Sequence, residues 1–168
     1  MKMVQKSWVA VSIILALSLL TITSFCQDKT SKFSLKEFYS TMASEDGKKV
    51  EEQLDLLKKA NVSSKDAYEG TLIMKKAGMT KGAGKKLSLF KQGRGQLESA
   101  IAKDANNAEF RFLRLMIQEH APGILGYKDD LEKDSTYIRQ SFKKLPVEVQ
   151  QAITDYCKTS KVLRSEDF

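Results

Sequence analysis

The chain has 168 residues, 42% of them hydrophobic and 29% charged, with a formal charge of +7, one histidine and two cysteines. This is the size of one ordinary domain, and a single histidine, His120, excludes a metal site built on two histidines of the chain. The cations are spread along the chain among acids, so the charge is read as a mixed solvated surface, with an acidic partner or an anionic surface as the alternative, and without interleaved aromatics it makes no case for nucleic acid.

In chain order, MKMVQKS carries two lysines and precedes WVAVSIILALSLLTI, with no charged residue from Ser7 to Gln27. The layout is that of a signal peptide. The apolar run is about 15 residues, short of the roughly 20 that a spanning helix prefers. Ser24-Phe25-Cys26 places small residues where a cut is expected, so cleavage is predicted after Cys26. A retained anchor and a lipoprotein acylated on Cys26 are the competing readings. Phe25 before the cysteine and Thr23 in the usual leucine place count against lipidation. Residues 1–26 are thus expected to be a signal peptide and residues 27–168 a single helical domain, exported to a periplasmic or extracellular space. Its charge falls to +5 with the loss of Lys2 and Lys6, and Cys157 is left as a lone thiol that forms no internal disulfide.

Phe33-Ser34-Leu35-Lys36-Glu37-Phe38 reads as a helix start near Leu35, with Ser34 as cap, Glu37 returning the bond and Phe33 stapled onto Phe38. Val50, Leu54 and Leu57 recur at helical spacing before Asn61 stops a second helix, and a serine cap follows. Ala67, Leu72, Met74 and Ala77 mark a third segment that ends at Gly78. Leu87, Phe90, Leu97, Ala100 and Ile101 form one stripe of a fourth. Ala108–His120 is apolar over most of its circumference. Asp129–Leu145 is amphipathic through Leu131, Ile138, Phe142 and Leu145, and Pro146 opens a last helix carrying Val149, Ala152, Ile153, Tyr156 and Cys157 on one face. No alternating strand pattern occurs, so the expected class is all-α.

Helices four and five are joined by DANNAE. Asp104 and Ala105 leave one helix, Asn106 or Asn107 caps the next, and Glu109 faces its positive end. This is a tight turn between antiparallel helices. The run Ala100-Ile101-Ala102-Lys103-Asp104-Ala105-Asn106-Asn107-Ala108-Glu109 resembles the join between successive tetratricopeptide repeats, with Ala105 in place of the usual proline. The resemblance is specific around residues 97–115 and implies stacked antiparallel helical hairpins, with the flanking helices closing the stack. Met79–Gly84 lengthens the preceding hairpin, so an irregular helical bundle is the alternative.

GAGKKLS at Gly82–Ser88 lacks the earlier glycine of a phosphate loop, where Met79 stands, and the following Ser or Thr, where Lys86 stands. Free helix amides and two lysines leave only a simple anion site as its functional reading. Asn61-Val62-Ser63 fits a glycosylation acceptor but serves more simply as a helix stop. His120 reads as a helix C-terminal residue, and Cys157 as a small core residue. No catalytic constellation, cofactor motif or metal-ligand spacing appears.

At 100° per residue, Arg111, Arg114 and Gln118 fall within about 60° of one another, opposite Phe110, Phe112, Leu113, Met116 and Ile117. The first helix of each tetratricopeptide-like repeat lines a groove, so the resemblance implies that Arg111, Arg114 and Gln118 hold a partner carboxylate or an extended peptide. The competing reading pairs the stripe with acids such as Glu98 or Asp130. The expected function is that of a non-enzymatic, monomeric module binding a protein or peptide partner of acidic character. A small-molecule or lipid carrier, with a pocket among Phe90, Phe110, Phe112 and Met116, is the alternative.

Overall fold

Ser34 opens the first helix as its sequence requires: in a computed structural model whose description covers residues 32–168, its Oγ accepts the Glu37 N–H at 3.2 Å. Phe33 sits 6.2 Å from the Phe38 ring, forming the hydrophobic staple. The helix, α1, runs Leu35–Ala43, and Asp46 caps α2, Gly47–Lys59, by accepting from Lys48 and Lys49 N–H. The remaining helices are α3 (Lys65–Met79), α4 (Ala83–Lys103), α5 (Ala108–His120), α6 (Leu131–Ser141) and α7 (Val147–Tyr156). Single 3-10 turns lie at Gly123–Leu125, Phe142–Lys144 and Ser165–Asp167, and no strand occurs among the described residues. The chain is all-α, as expected. The predicted signal segment and its cleavage site lie outside the described residues.

Several local expectations are refined. Ser64 stands before α3 without a side-chain capping bond. The amphipathic stretch Asp129–Leu145 is helical only over Leu131–Ser141 before tightening into the 3-10 turn. Leu87, predicted on the buried stripe of helix four, is 42% exposed. Its stripe partners Phe90, Leu97, Ala100 and Ile101 are buried.

α3 and α4 form the tightest hairpin. Gly82, at φ +86°, turns the chain between them in a conformation that only glycine adopts freely. Farther in, Gly70 and Gly93 bring the two backbones together: a Cβ on Gly70 would lie 2.6 Å from the Gly93 carbonyl oxygen, and one on Gly93 would come closer still to the Gly70 oxygen. These residues lie almost equally far from the turn, so the helices run antiparallel.

The core joins Phe38 of α1, Val50 and Leu57 of α2, Leu72 of α3, Leu97 of α4, Phe112, Leu113 and Leu115 of α5, Ile138 of α6 and Ile153 of α7, all fully buried. Each such side chain contributes about 1.5–3 kcal/mol of burial. α1 packs against α7 as well as α2, so the first and last of the described helices meet. The C-terminal segment returns over this frame: Leu163 is buried, Phe168 stacks 4.5 Å from Phe142, and Arg139 donates to Val162 O and pairs with Asp167. No helix among the described residues is long and apolar enough to cross a membrane.

Candidate functional site

The DANNAE join is a turn, as predicted. α4 ends at Lys103, and Asn107 caps α5 through its Oδ1, which accepts the Phe110 N–H at 3.1 Å. Its outer side is clamped twice. Arg111 donates from Nε and Nη2 to Ala105 O at 3.1 and 2.6 Å, and the Tyr137 hydroxyl donates to Asn106 O at 3.0 Å. Ala105 thus supplies a carbonyl that a buried guanidinium uses.

α5 is covered on both faces. Arg111, Arg114 and Gln118 do share one side, but they are 9%, 6% and 1% exposed, whereas Ile117 on the apolar side is half-buried. What meets the arginines is Asp134 of α6, which is 0% exposed. Arg114 grips it as a fork, Nε to Oδ2 at 2.7 Å and Nη2 to Oδ1 at 2.8 Å, and Arg111 Nη1 adds a bond to Oδ1 at 2.9 Å. Arg114 Nη1 also reaches Glu98 at 2.9 Å and Asp130 at 3.3 Å. Burial works against the Arg114 charge, but Asp134, then Glu98 and Asp130, outweigh it and hold its pKa above the ordinary value. The predicted stripe is thus brought together, and its arginines are occupied within the same chain by the carboxylates of Asp134, Glu98 and Asp130 and by the Ala105 carbonyl. Gln118 lies deeper, and its Oε1 has no hydrogen-bond partner among the described residues.

Arg111 also lines a surface concavity. Its guanidinium stacks 4.6 Å from the Tyr137 ring centre, at the edge of an open depression of about 490 Å³ lined also by Asp129, Glu132, Lys133, Thr136 and Gln140. Lys133, Thr136 and Gln140 are exposed and make no ion pair among the described residues.

On the opposite side of α5, Glu109 was expected only to face the helix's positive end. It is buried, and the hydroxyls of Tyr39 in α1 and Tyr68 in α3 both donate to its Oε1, at 2.8 and 3.0 Å. Desolvation raises the Glu109 pKa, offset in part by these two bonds. The tyrosines lie 70 and 41 residues away in sequence, so no local pattern announces the cluster.

His120 ends α5, with Nδ1 3.0 Å from Met116 O and 3.4 Å from the Tyr156 hydroxyl. Its neighbour Glu119 accepts from Tyr156, Ser160 and the Lys161 N–H, and so fastens the C-terminal segment. Cys157 is half-buried, and burial raises its thiol pKa. Phe90, Phe110, Phe112 and Met116 are core residues: Phe90 meets Tyr127 edge-on at 5.6 Å, and Phe112 lies between Tyr39 and Tyr156 at 5.9 and 5.7 Å. GAGKK begins a helix that follows another helix. No group of three His, Cys, Asp or Glu side chains is placed to hold a metal among the described residues. Comparison with family models, with curated proteins and with solved structures returned no match.

Proposed function

We propose that this chain is an exported, non-enzymatic helical module that binds a protein or peptide partner, with its two central hairpins stacked in the tetratricopeptide manner. The observation that supports the reading best is the open depression of about 490 Å³ beside Arg111 and Tyr137. Two well-fixed groups line it. Tyr137 is held by Asn106 O and Arg111 by Asp134, so the aromatic surface is already ordered before a ligand arrives. Lys133, which makes no ion pair among the described residues, supplies a cation for a partner carboxylate, and Gln140 and Thr136 supply hydrogen-bonding groups. In this reading Arg111 and Arg114 act through Asp134 as supports of the surface.

The test is quantitative capture from the host extract with the parent chain and with Lys133→Glu and Thr136→Trp. The first variant reverses the rim charge and the second fills the depression. A partner whose recovery falls at least tenfold with both supports the reading, since about 1.4 kcal/mol of lost binding is tenfold. Captured species that are the same for all three chains overturn it.

A further inference from the structure

The spread of cations among acids fails in one stretch: from Gly70 to Leu97 the chain contains no acid and carries Lys75, Lys76, Lys81, Lys85, Lys86, Lys91 and Arg94. Three of these cations are used within the fold. Lys75 meets Glu45 at 3.5 Å, Lys76 meets Glu51 at 2.6 Å, and Arg94 lies 4.5 Å over the Tyr127 ring. Lys81, Lys85, Lys86 and Lys91 are exposed and make no ion pair among the described residues.

The geometry of α4 explains the exposure. At 100° per residue Lys86 stands within about 20° of Gly93 and Leu97, on the face that is buried farther along. It is nevertheless exposed, as is every residue from Lys81 to Ser88. The first turns of α4 therefore extend past the neighbours that cover this face. Leu87 stands among these lysines, 42% exposed. A second feature is fastened to the same helix. Ile124, 95% exposed, tips the loop Pro122-Gly123-Ile124-Leu125-Gly126. Tyr127 ties that loop to α4 through its contact with Phe90, one turn beyond Leu87, and through a 2.6 Å bond from its hydroxyl to Glu98.

We propose that the basic end of the α3–α4 hairpin, together with the Ile124 loop, docks on a bilayer containing anionic phospholipid. An extended peptide needs a groove in which to bury its side chains, and residues 81–88 offer an exposed projection instead. A headgroup layer deforms around such a projection. Its negative surface potential attracts each lysine, and the apolar side chains of Ile124 and Leu87 enter the boundary below the headgroups. The proposal uses none of the residues of the depression beside α6, so it stands or falls separately from the partner reading.

Cosedimentation of the full chain with phosphatidylcholine vesicles, with and without about 30% phosphatidylglycerol, at about 50 and 500 mM salt, tests it. The parent is compared with the triple variant Lys81→Gln, Lys85→Gln, Lys86→Gln and with Ile124→Ser. All share the apolar run near the N-terminus, so differences among them report the hairpin end. Circular dichroism confirms that each is folded.

The expected result is salt-sensitive binding that requires phosphatidylglycerol, weakened at least tenfold in the triple variant. Ile124→Ser should weaken it several-fold without changing the salt slope. Equal binding by parent and triple variant overturns the proposal. Retention of poly-L-glutamate, lost with the same lysines while vesicles are ignored, also overturns it and assigns the surface to an acidic polypeptide.

Discussion

Asp134 and Glu109 are carboxylates withdrawn from water on opposite sides of α5, and the helix treats them differently. Toward α6 it presents Arg111 and Arg114, which surround Asp134 with three charge-assisted bonds. Toward α1 and α3 it presents Glu109 itself, which meets two neutral phenols and no cation within ion-pair reach among the described residues. Asp134 is an anchor whose charge is matched. Glu109 is a hydrogen-bonded junction whose charge remains a cost. The comparison teaches that burial of an acid says little until its partners are known, because the same helix builds both arrangements within one and a half turns.

The largest effect should come from breaking the matched site. Asp134→Ala leaves two buried guanidiniums facing each other, and unfolding by urea should show a loss of about 3–5 kcal/mol. Replacing Arg111 and Arg114 together with Gln removes the cations and leaves Asp134 as the uncompensated charge, so the loss should be of the same order. A change within about 0.5 kcal/mol, the scale of exposed substitutions, would show that the network contributes little to folding.

At the other site, Tyr39→Phe or Tyr68→Phe removes one donor to a charged acceptor, and each should cost about 1.5–3 kcal/mol at neutral pH. The same variants sharpen the contrast when pH is varied. Desolvation sets the folded-state pKa of Glu109 above its unfolded value. Stability linked to this group is therefore complete below the unfolded value and is lost as pH rises through the folded one. The tyrosine bonds favour the ionised form, so their removal should cost more at pH 8 than at pH 4.

The smallest effect belongs to Glu109→Gln. The amide oxygen still accepts both hydroxyls without a charge to desolvate, so stability at neutral pH should stay within about 1 kcal/mol of the parent. Relative to the parent, the variant should gain as pH rises from 4 to 8, as read from urea midpoints. A variant that loses ground over that range would show that an unseen cation compensates Glu109.

Much of the helical frame was legible from local chemistry. Ser34, Phe33 and Phe38 announced α1, the pair Asn106-Asn107 announced α5 without saying which of them caps it, and apolar spacing located the rest. The polar stripe on α5 was also legible, because 100° geometry places Arg111 and Arg114 together whatever surrounds them. Their partner was not. Glu98 and Asp130 were foreseen and both meet Arg114, yet the acid that fills the fork is Asp134, one of four acids between Asp129 and Asp134. Which of them faces α5 depends on how α6 is rotated, and that is decided by tertiary packing. Leu87 failed for the complementary reason: periodicity puts it near a buried stripe, but only the length of the neighbouring helices tells where the cover ends.

The Gly70–Gly93 contact has a mechanical consequence. Side chains between helices can yield by changing rotamer, and here backbone rests on backbone. The hairpin is thus pinned at a hard pivot about 15 Å from the first turn of α4. An alanine at either glycine must wedge the helices apart, and leverage then carries that separation outward to the lysines. A methyl group placed deep in the fold would be felt at the surface as a misaimed tip.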